Sequence, residues 1–335
     1  MLGSMMVVLL GCGSAEPVAD AANVAPETPA PATAAPAPAG PLRLASGKTP
    51  TFTVCDQVGA ALGRPHLNGP IYEADLSGGT LVTYIRDDKG NDHHLERFSV
   101  DLADGCTVTE DTAFTKITSP KIISGFAVFD EVIAVANRAE SGLYGHDGVR
   151  KEVTCEGLKD VSRLERVQGT TDQAIIKGSR ATVEQWTVTE AGCRTRILWD
   201  VPKGEQVSYY FAATPDAGLA GLYLMPDSHK AIRRFDKTGA QVWSVGTEDD
   251  LAKSVQDVAM VGEHTVVADG KAKALVVLDA AGAEVGRAPW QGALAGLGKY
   301  PRPKHVLAAD GDTVLLLVEH SDGDDRAVSA VRVDL

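Results

Sequence analysis

Eight histidines are the residues of this chain most suited to binding a transition metal, and they are widely separated in the sequence. They are His66, His93, His94, His146, His229, His264, His305 and His320. No two have the His-x-x-x-His spacing that places both rings on one face of a helix. His93 and His94 are adjacent on an extended segment, where successive side chains point to opposite faces. The spacing therefore predicts histidines in loops and turns, and no metal site formed within one segment.

Acidic residues, the ligands that calcium prefers, cluster in four segments. The clusters are Asp87 and Asp88; Glu248, Asp249 and Asp250; Asp310 and Asp312; and Asp322, Asp324 and Asp325. A calcium loop alternates carboxylates around a glycine and adds a bidentate glutamate downstream. The last cluster lacks that glutamate, so all four are interpreted as solvent-exposed turns.

Motifs for nucleophilic catalysis and for nucleotide binding are absent from the sequence. It contains no Gly-x-Ser-x-Gly and no glycine-rich phosphate loop, and Ser-x-x-Lys does not occur where a strand would lead into a helix. We therefore expect no catalytic residue, no cofactor and no metal ion, and a non-enzymatic role is favoured.

The elements that would position any site recur along the chain as strand-turn-strand segments with a glycine in the turn. The turn glycines are Gly105, Gly148, Gly192, Gly239, Gly282 and Gly323, at intervals of 43, 44, 47, 43 and 41 residues. Glycine adopts the positive φ of such turns without steric cost, and a nearby Asp caps the turn through its side chain. A further apolar strand precedes each turn, at residues 80–85, 132–136, 173–176, 221–224, 265–268 and 313–318.

A period of 40–50 residues with about four short strands per unit is typical of a β-propeller. The fold class is therefore all-β, with six blades favoured over seven. A β-sandwich would not need this period, and a parallel β-helix would have a shorter one. Residues 51–54 form a strand without a local partner, and its pairing into the last blade would close the ring and remove exposed edges.

One unit resembles a known repeat family. Residues 231–245, with the sequence AIRRFDKTGAQVWSV, are similar to the strand-turn-strand of PQQ-like propeller repeats, and residues 275–285 are similar but lack the Trp. The family includes quinoprotein dehydrogenases and non-catalytic outer-membrane assembly lipoproteins, so the resemblance implies a fold and not a function. Quinone enzymes stack the cofactor on a Trp, whereas Trp186, Trp199, Trp243 and Trp290 lie on or just after repeat segments and are expected to pack between blades.

The N-terminus carries a separate signal. Residues 5–10 are apolar and end in Leu9-Leu10-Gly11-Cys12, which resembles the lipobox of bacterial lipoproteins. The resemblance implies a signal peptide over residues 1–11, cleavage before Cys12 and acylation of Cys12. Gly13, rather than Asp, favours the outer membrane. No Lys or Arg precedes the apolar run, which departs from a signal peptide and leaves open a hydrophobic N-terminus with a chance cysteine.

Residues 12–50 are interpreted as the lipidated Cys12 followed by an unstructured tether, and residues 51–335 as the propeller domain. Residues 17–41 hold 7 of the 17 prolines together with 10 alanines. Such a segment has no apolar periodicity and cannot form a core. It would act as a spacer or a passive leader, and sequence does not separate the two.

Four cysteines remain once Cys12 is lipidated, and an even number in an exported domain predicts two disulfides. Three pairings are open. Cys55–Cys106 and Cys155–Cys193 are favoured because neighbouring blades can bring these residues close enough. The absence of Cys-x-x-Cys argues against zinc and thiol-redox sites.

The formal net charge of −13 argues against nucleic acid and against electrostatic docking on an anionic membrane. The favoured function is a membrane-anchored, non-enzymatic protein-interaction scaffold in the cell envelope, with a partner of basic character. The alternative is an exported enzyme, or a carbohydrate- or small-ligand-binding propeller, with a site at the central channel. That alternative requires His, Asp and Arg from three or more blades to converge on the channel.

Overall fold

The computed structural model describes residues 49–59, 62, 71–86, 93–103, 105–119, 121–137, 141–153, 155, 161, 163–170, 172–177, 182–189, 191–225, 229–246, 250–322 and 325–335. The signal peptide, Cys12 and the Pro/Ala-rich tether lie outside these residues and stay predictions. So do His66, Asp87, Asp88, Glu248, Asp249, Gly323 and Asp324.

The described strands form six sheets, which are the blades of a β-propeller. The chain begins with β1 (Thr51–Val54) and β2 (Asp56–Val58). Blade one holds β3 (Ile71–Ser77), β4 (Thr80–Arg86), β5 (His93–Asp101), β6 (Thr107–Glu110) and the short β7 (Ile117–Ser119). Blade two holds β8 (Ile123–Val128), β9 (Ile133–Asn137) and β10 (Gly142–Tyr144). Blade three holds β11 (Arg163–Arg166), β12 (Gln173–Lys177), β13 (Thr182–Thr189) and β14 (Gly192–Asp200).

The remaining three blades follow the same antiparallel order. Blade four holds β15 (Gln206–Ala213), β16 (Leu219–Leu224), β17 (Lys230–Phe235) and β18 (Gln241–Val245). Blade five holds β19 (Val255–Val261), β20 (His264–Asp269), β21 (Ala274–Leu278) and β22 (Glu284–Pro289). Blade six holds β23 (Lys299–Ala308), β24 (Thr313–Asp322) and β25 (Asp325–Asp334). Short 3₁₀ turns lie at Asp250–Lys253 and Ala295–Leu297. In the part of the chain described here, no helix has the length and apolarity to cross a bilayer.

The ring closes as the sequence predicts, by pairing of β1 with the last strand. Thr51 lies opposite Asp334 and Val54 opposite Val331, so β1 is the fourth strand of blade six. The six inner strands, β3, β8, β11, β15, β19 and β23, contact one another in order, and β23 contacts β3. The prediction of an all-β propeller with six blades is confirmed.

The middle strands of the blades are apolar on both faces because each blade is packed between two others. In blade five, Val266 and Val277 lie in the core shared with blade six, whereas Val267 and Val276 lie in the core shared with blade four. Burial of one valine side chain contributes about 1.5–3 kcal/mol. Continuous apolar strands are therefore stabilised from both sides.

The two sides of the disc are distinguished by their connections. At the side we call the entry face, the chain enters each inner strand from the preceding blade. At the opposite side, the turn face, the first strand of a blade turns into the second and the third into the fourth. The described turn glycines lie at the turn face with φ of +119 (Gly105), +81 (Gly148), +133 (Gly192), +81 (Gly239) and +82 (Gly282).

The sixth predicted turn glycine, Gly323, lies outside the described residues and stays a prediction. In sequence it falls between β24 and β25, the second and third strands of blade six. Because β1 supplies the fourth strand of blade six, that blade has no turn equivalent to the other five.

The structure contains the two favoured disulfides. Cys55 and Cys106 are bonded, with 4.5 Å between their Cα atoms, and Cys155 and Cys193 are bonded, with 4.9 Å. Cys55 lies between β1 of blade six and β2, which pairs in parallel with the outer strand β6 of blade one. Residues 51–58 therefore form a strap across the closure, and one disulfide fixes it.

Candidate functional site

The central channel of the propeller is lined by charged side chains from four blades. Blade one contributes Glu73 and Asp75, blade three Arg163, Glu165 and Arg166, blade five Asp257 and blade six His305. None of these residues was singled out in the sequence except His305. They lie on the inner strands, which the repeat pattern did not identify.

Two aspartates in the channel connect neighbouring blades. Asp75 Oδ2 accepts a hydrogen bond from the backbone N–H of Val128 in blade two, at 2.7 Å. Asp257 Oδ2 accepts one from the backbone N–H of Val306 in blade six, at 2.8 Å. Inner strands have a sheet partner on one side only, so a buried N–H on the other side needs an acceptor. The two aspartates supply it, at the one–two and five–six junctions.

Arg163 links three blades across the channel. Its Nη2 lies 2.5 Å from Glu165 Oε1, and its guanidinium atoms lie 3.9 Å from carboxylate oxygens of Glu73 and of Asp257. The guanidinium also lies over the ring of Phe211 in blade four, 5.4 Å from its centre. Arg166 donates to the backbone oxygen of Leu76 in blade one, at 3.2 Å. The channel charges therefore hold the blades together.

Carboxyl groups outnumber guanidiniums in the channel by four to two. Burial raises the pKa of Glu73 to about 8, with Arg163 opposing this shift and the neighbouring carboxylates adding to it. Burial likewise raises the pKa of Glu165 to about 7. Burial raises the pKa of Asp75 and lowers that of His305. At neutral pH the channel therefore retains protons on glutamates, which limits its negative charge.

The open space in the channel is small. The cavity among these side chains measures about 60 Å³ and is also lined by small apolar residues such as Ala74, Ala212 and Ala259. Pockets for small molecules occupy about 300–1,000 Å³. The convergence of His, Asp and Arg that a channel site requires is present, but these groups join blades around a space sufficient only for a few water molecules.

The histidines occupy strands more often than the sequence predicts. His93 and His94 are buried in β5, and His264, His305 and His320 also lie in strands. Hydrogen bonds make this burial possible: Tyr84 Oη lies 2.9 Å from His93 Nδ1, and His94 Nε2 lies 3.0 Å from Glu96 Oε1.

Across the described ranges, no three His, Cys, Asp or Glu side chains are grouped to hold a metal ion. All four tryptophans belong to cores between blades, as expected.

Three tyrosines mark the entry face, and a β-bulge places each one there. Tyr72 lies where β3 shifts register between Ile71 and Glu73. Tyr209 lies in the irregular stretch of β15 between Val207 and Phe211, and Tyr300 in that of β23 between Lys299 and Arg302. Their exposed fractions are 45%, 63% and 86% respectively. A bulge re-aims a side chain away from the regular sheet direction, which here turns large aromatic rings toward solvent.

Tyr300 also has a strained backbone. Its φ is +56, in the left-handed region that non-glycine residues rarely adopt. Strain of this kind persists where the surrounding structure imposes it and is concentrated at functional sites. Sequence reasoning missed all three tyrosines, because a bulge in a strand has no short sequence signal of its own.

No family model and no curated protein matches the chain. Similar solved structures include the WD40 domain of Neurospora crassa Pan2, at 10% identity and a TM-score of 0.49 over 84% of this chain and 94% of that one. The WD40 domain of Toxoplasma gondii coronin is 10% identical, with a TM-score of 0.48 over 84% of each chain. A calcium-binding protein, regucalcin, from Agrobacterium tumefaciens is 14% identical, with a TM-score of 0.44 over 84% of this chain and 97% of that one. At such distances these similarities say nothing of function.

Proposed function

We propose that this protein is a non-enzymatic propeller that binds other proteins on a face of its disc and is held in the cell envelope by a lipid on Cys12. The observation that carries the binding role is the set of bulged, solvent-exposed tyrosines Tyr72, Tyr209 and Tyr300 on one face. Tyrosine is enriched at protein interfaces and among the residues that dominate their binding energy. A propeller offers a broad surface on which such residues can act together.

The described part of the chain begins at the turn face. Thr51 pairs with Asp334, which also lies opposite Thr313 just after a turn of the turn face. The segment that precedes Thr51 therefore joins the domain at the rim of the turn face.

Lipidation is tested by metabolic labelling of the full chain with an alkyne fatty acid in a bacterial host. We expect label and membrane fractionation for the wild type and neither for Cys12→Ser. Equal labelling of both would overturn the anchor, and label on another residue would relocate it.

Protein binding is tested in cells with a photo-crosslinking amino acid placed at Tyr300, at Tyr209 and, on the turn face, at Glu263. We expect the two entry-face positions to crosslink a single partner protein, in a molar amount comparable with that of the propeller protein. Failure of every position to give a stoichiometric crosslink would overturn the binding role.

A small-ligand site at the channel is the second candidate, favoured by the charges that four blades bring together. The cavity of about 60 Å³ opposes it for any ligand of sugar size. A thermal-shift screen of sugars and small metabolites separates the two, because a channel ligand would raise the melting temperature of the wild type and not of Arg163→Met.

A further inference from the structure

The two faces of the disc differ in charge. Acidic side chains occupy the turns of the turn face in all the blades that have described turn residues. They are Asp101, Asp130, Glu131, Asp147, Asp172, Asp216, Asp236, Glu263, Asp279, Asp310 and Asp312. Lys237 is the single Lys or Arg in the described part of these turns. Arg234, on β17, lies 3.1 Å from Glu263 and 3.7 Å from Asp216, and the other turn residues leave the described part of this face predominantly acidic.

Several of these aspartates stabilise their own turns by accepting hydrogen bonds from backbone N–H groups. Asp236 Oδ1 accepts backbone N–H bonds from Thr238 and Ala240, and Asp279 Oδ1 accepts them from Ala281 and Ala283. The same turn chemistry that the repeat requires in each blade therefore gives this face its negative potential.

The entry face has a different composition. The described segments that lead from one blade into the next carry exposed lysines at Lys121, Lys203 and Lys253, and β23 begins with exposed Lys299. Of the described acidic residues on this side, Glu205 lies 2.8 Å from Arg233, whereas Glu152 and Asp200 are exposed.

The tyrosines lie among these cations. Tyr300 directly follows Lys299, and the exposed Arg302 is two residues further along β23. On the neighbouring blade one, the guanidinium of Arg86 lies over the ring of Tyr72, 5.0 Å from its centre, and the ring centre of Tyr84 lies 6.0 Å from that of Tyr72. These contacts hold Tyr72 in place while leaving part of its ring exposed. A partner would therefore meet an ordered ring and lose little entropy in binding it.

We infer that the entry face binds an acidic protein segment with apolar or aromatic side chains, using Tyr72, Tyr209 and Tyr300 as anchors. This inference rests on the proposed protein-binding function and deepens it. The lysines of the entry face attract carboxylates, and the turn face repels them, so the charge of the disc itself orients an acidic partner. The basic partner expected from the net charge fits the turn face and not the face that carries the tyrosines.

The test uses a defined probe, the random copolymer poly(Glu,Tyr), which presents carboxylates and aromatic rings. We expect the copolymer to bind the purified protein, with an affinity that falls as salt is added. Binding should protect amides at the starts of β3, β15 and β23 from hydrogen exchange. The triple variant Tyr72→Ala, Tyr209→Ala, Tyr300→Ala should bind about tenfold or more weakly, the loss expected when anchor residues are truncated. The double variant Ile197→Ala, Val242→Ala is the matched control, because these exposed residues lie on the outer strands β14 and β18.

The control should bind as the wild type does, and circular dichroism melting should show that both variants fold. Equal binding by the tyrosine variant, protection of turn-face amides instead, or preferential binding of polylysine to the entry face would each overturn the inference. Binding to phosphatidylglycerol vesicles in place of the copolymer would also overturn it, in favour of a lipid surface.

The inference and the proposed function fail differently. A partner crosslinked only from Glu263 would support protein binding and overturn the role of the entry face. A partner crosslinked from Tyr300 whose contact region is basic would overturn the acidic character inferred here and leave the proposed function standing.

Discussion

Trp243 of blade four lies directly against Gly282 in the turn of blade five. A Cβ added to that glycine would lie 2.7 Å from the Trp243 ring, and Gly282 has a φ of +82. The same relationship joins Trp199 of blade three to Gly239 of blade four, where the distance would be 2.6 Å. A tryptophan of one blade therefore packs on the turn glycine of the next, and the turn and the blade interface depend on the same residue.

Gly282→Ala should destabilise the domain for two reasons, the positive φ and the clash with Trp243. We expect a loss of about 2–4 kcal/mol in the free energy of unfolding, measured by urea denaturation. Gly311→Ala is the control, because Gly311 has a φ of +62 but nothing within 4 Å of an added Cβ. It should cost about 1 kcal/mol, the backbone contribution alone. Equal losses in the two variants would contradict the interface role of the contact.

Removal of the Cys55–Cys106 disulfide should loosen the strap that closes the ring. We expect Cys55→Ala, Cys106→Ala to lower the free energy of unfolding by about 2–5 kcal/mol and to increase hydrogen exchange in β1 and β2. The control is Cys155→Ala, Cys193→Ala, which removes a disulfide that closes a loop of similar length (a separation of 38 residues against 51). This variant should leave hydrogen exchange in β1 unchanged. Mass spectrometry without reduction should recover both linked peptides, and four free thiols would refute the pairing.

Asp257 should stabilise the junction of blades five and six through its bond to the Val306 N–H. Asp257→Ala leaves that buried donor without its acceptor, and we expect a loss of about 1–3 kcal/mol. Asp257→Asn retains a side-chain oxygen and should lose less. Thermal melting of the two variants at pH 7 distinguishes them. An alanine variant more stable than the wild type would show that the buried carboxylate destabilises the domain.

The channel glutamates should make the domain less stable as pH rises from about 6.5 to 8. Glu73 has a pKa of about 8 and Glu165 of about 7 in the folded state, both above the ordinary value of 4.5. Stability from these groups is complete below pH 4.5 and is lost as pH rises through the folded values, since the folded state binds more protons than the unfolded one. His305, whose pKa is lowered, acts in the opposite sense but only below its ordinary value of 6.5. It therefore does not affect this window.

Substitution of the glutamates tests this dependence. Glu73→Gln, Glu165→Gln mimics the protonated pair, so its melting temperature should change less with pH between 6.5 and 8 than that of the wild type. Glu263→Gln, at an exposed position of the turn face, should behave as the wild type does. A steeper pH dependence in the channel variant would refute the protonated state of the pair.

The parts of the fold that could be predicted have local signals. Gly239 and Gly282 marked turns because the turn itself requires glycine, and the middle strands of the blades were visible as apolar runs because they are buried on both sides. The closure strand and the cysteine pairing followed from the period.

The inner strands could not be predicted in the same way, and they carry the site. β11 has the sequence RLER, and β3 has Glu73 and Asp75 among apolar residues. Neither sequence therefore has the continuous apolar pattern that predicts a buried strand. The role of these charged residues can be seen only in the folded ring, where blades one, three and five bring them together around the central channel. The bulges that expose Tyr72 and Tyr300 likewise depend on how the strand fits its neighbours.

The strap of residues 51–58 also has a consequence for how the chain acquires its structure. The side chains of Thr51 and Asp334 are hydrogen-bonded across 283 residues of sequence. The first strand of the domain to be synthesised therefore has no partner until the last strand has been made. Until then β1 remains an unpaired edge, available to any other chain with an exposed strand. A chaperone that shields residues 51–54 during synthesis or export would protect the assembly step most exposed to mispairing.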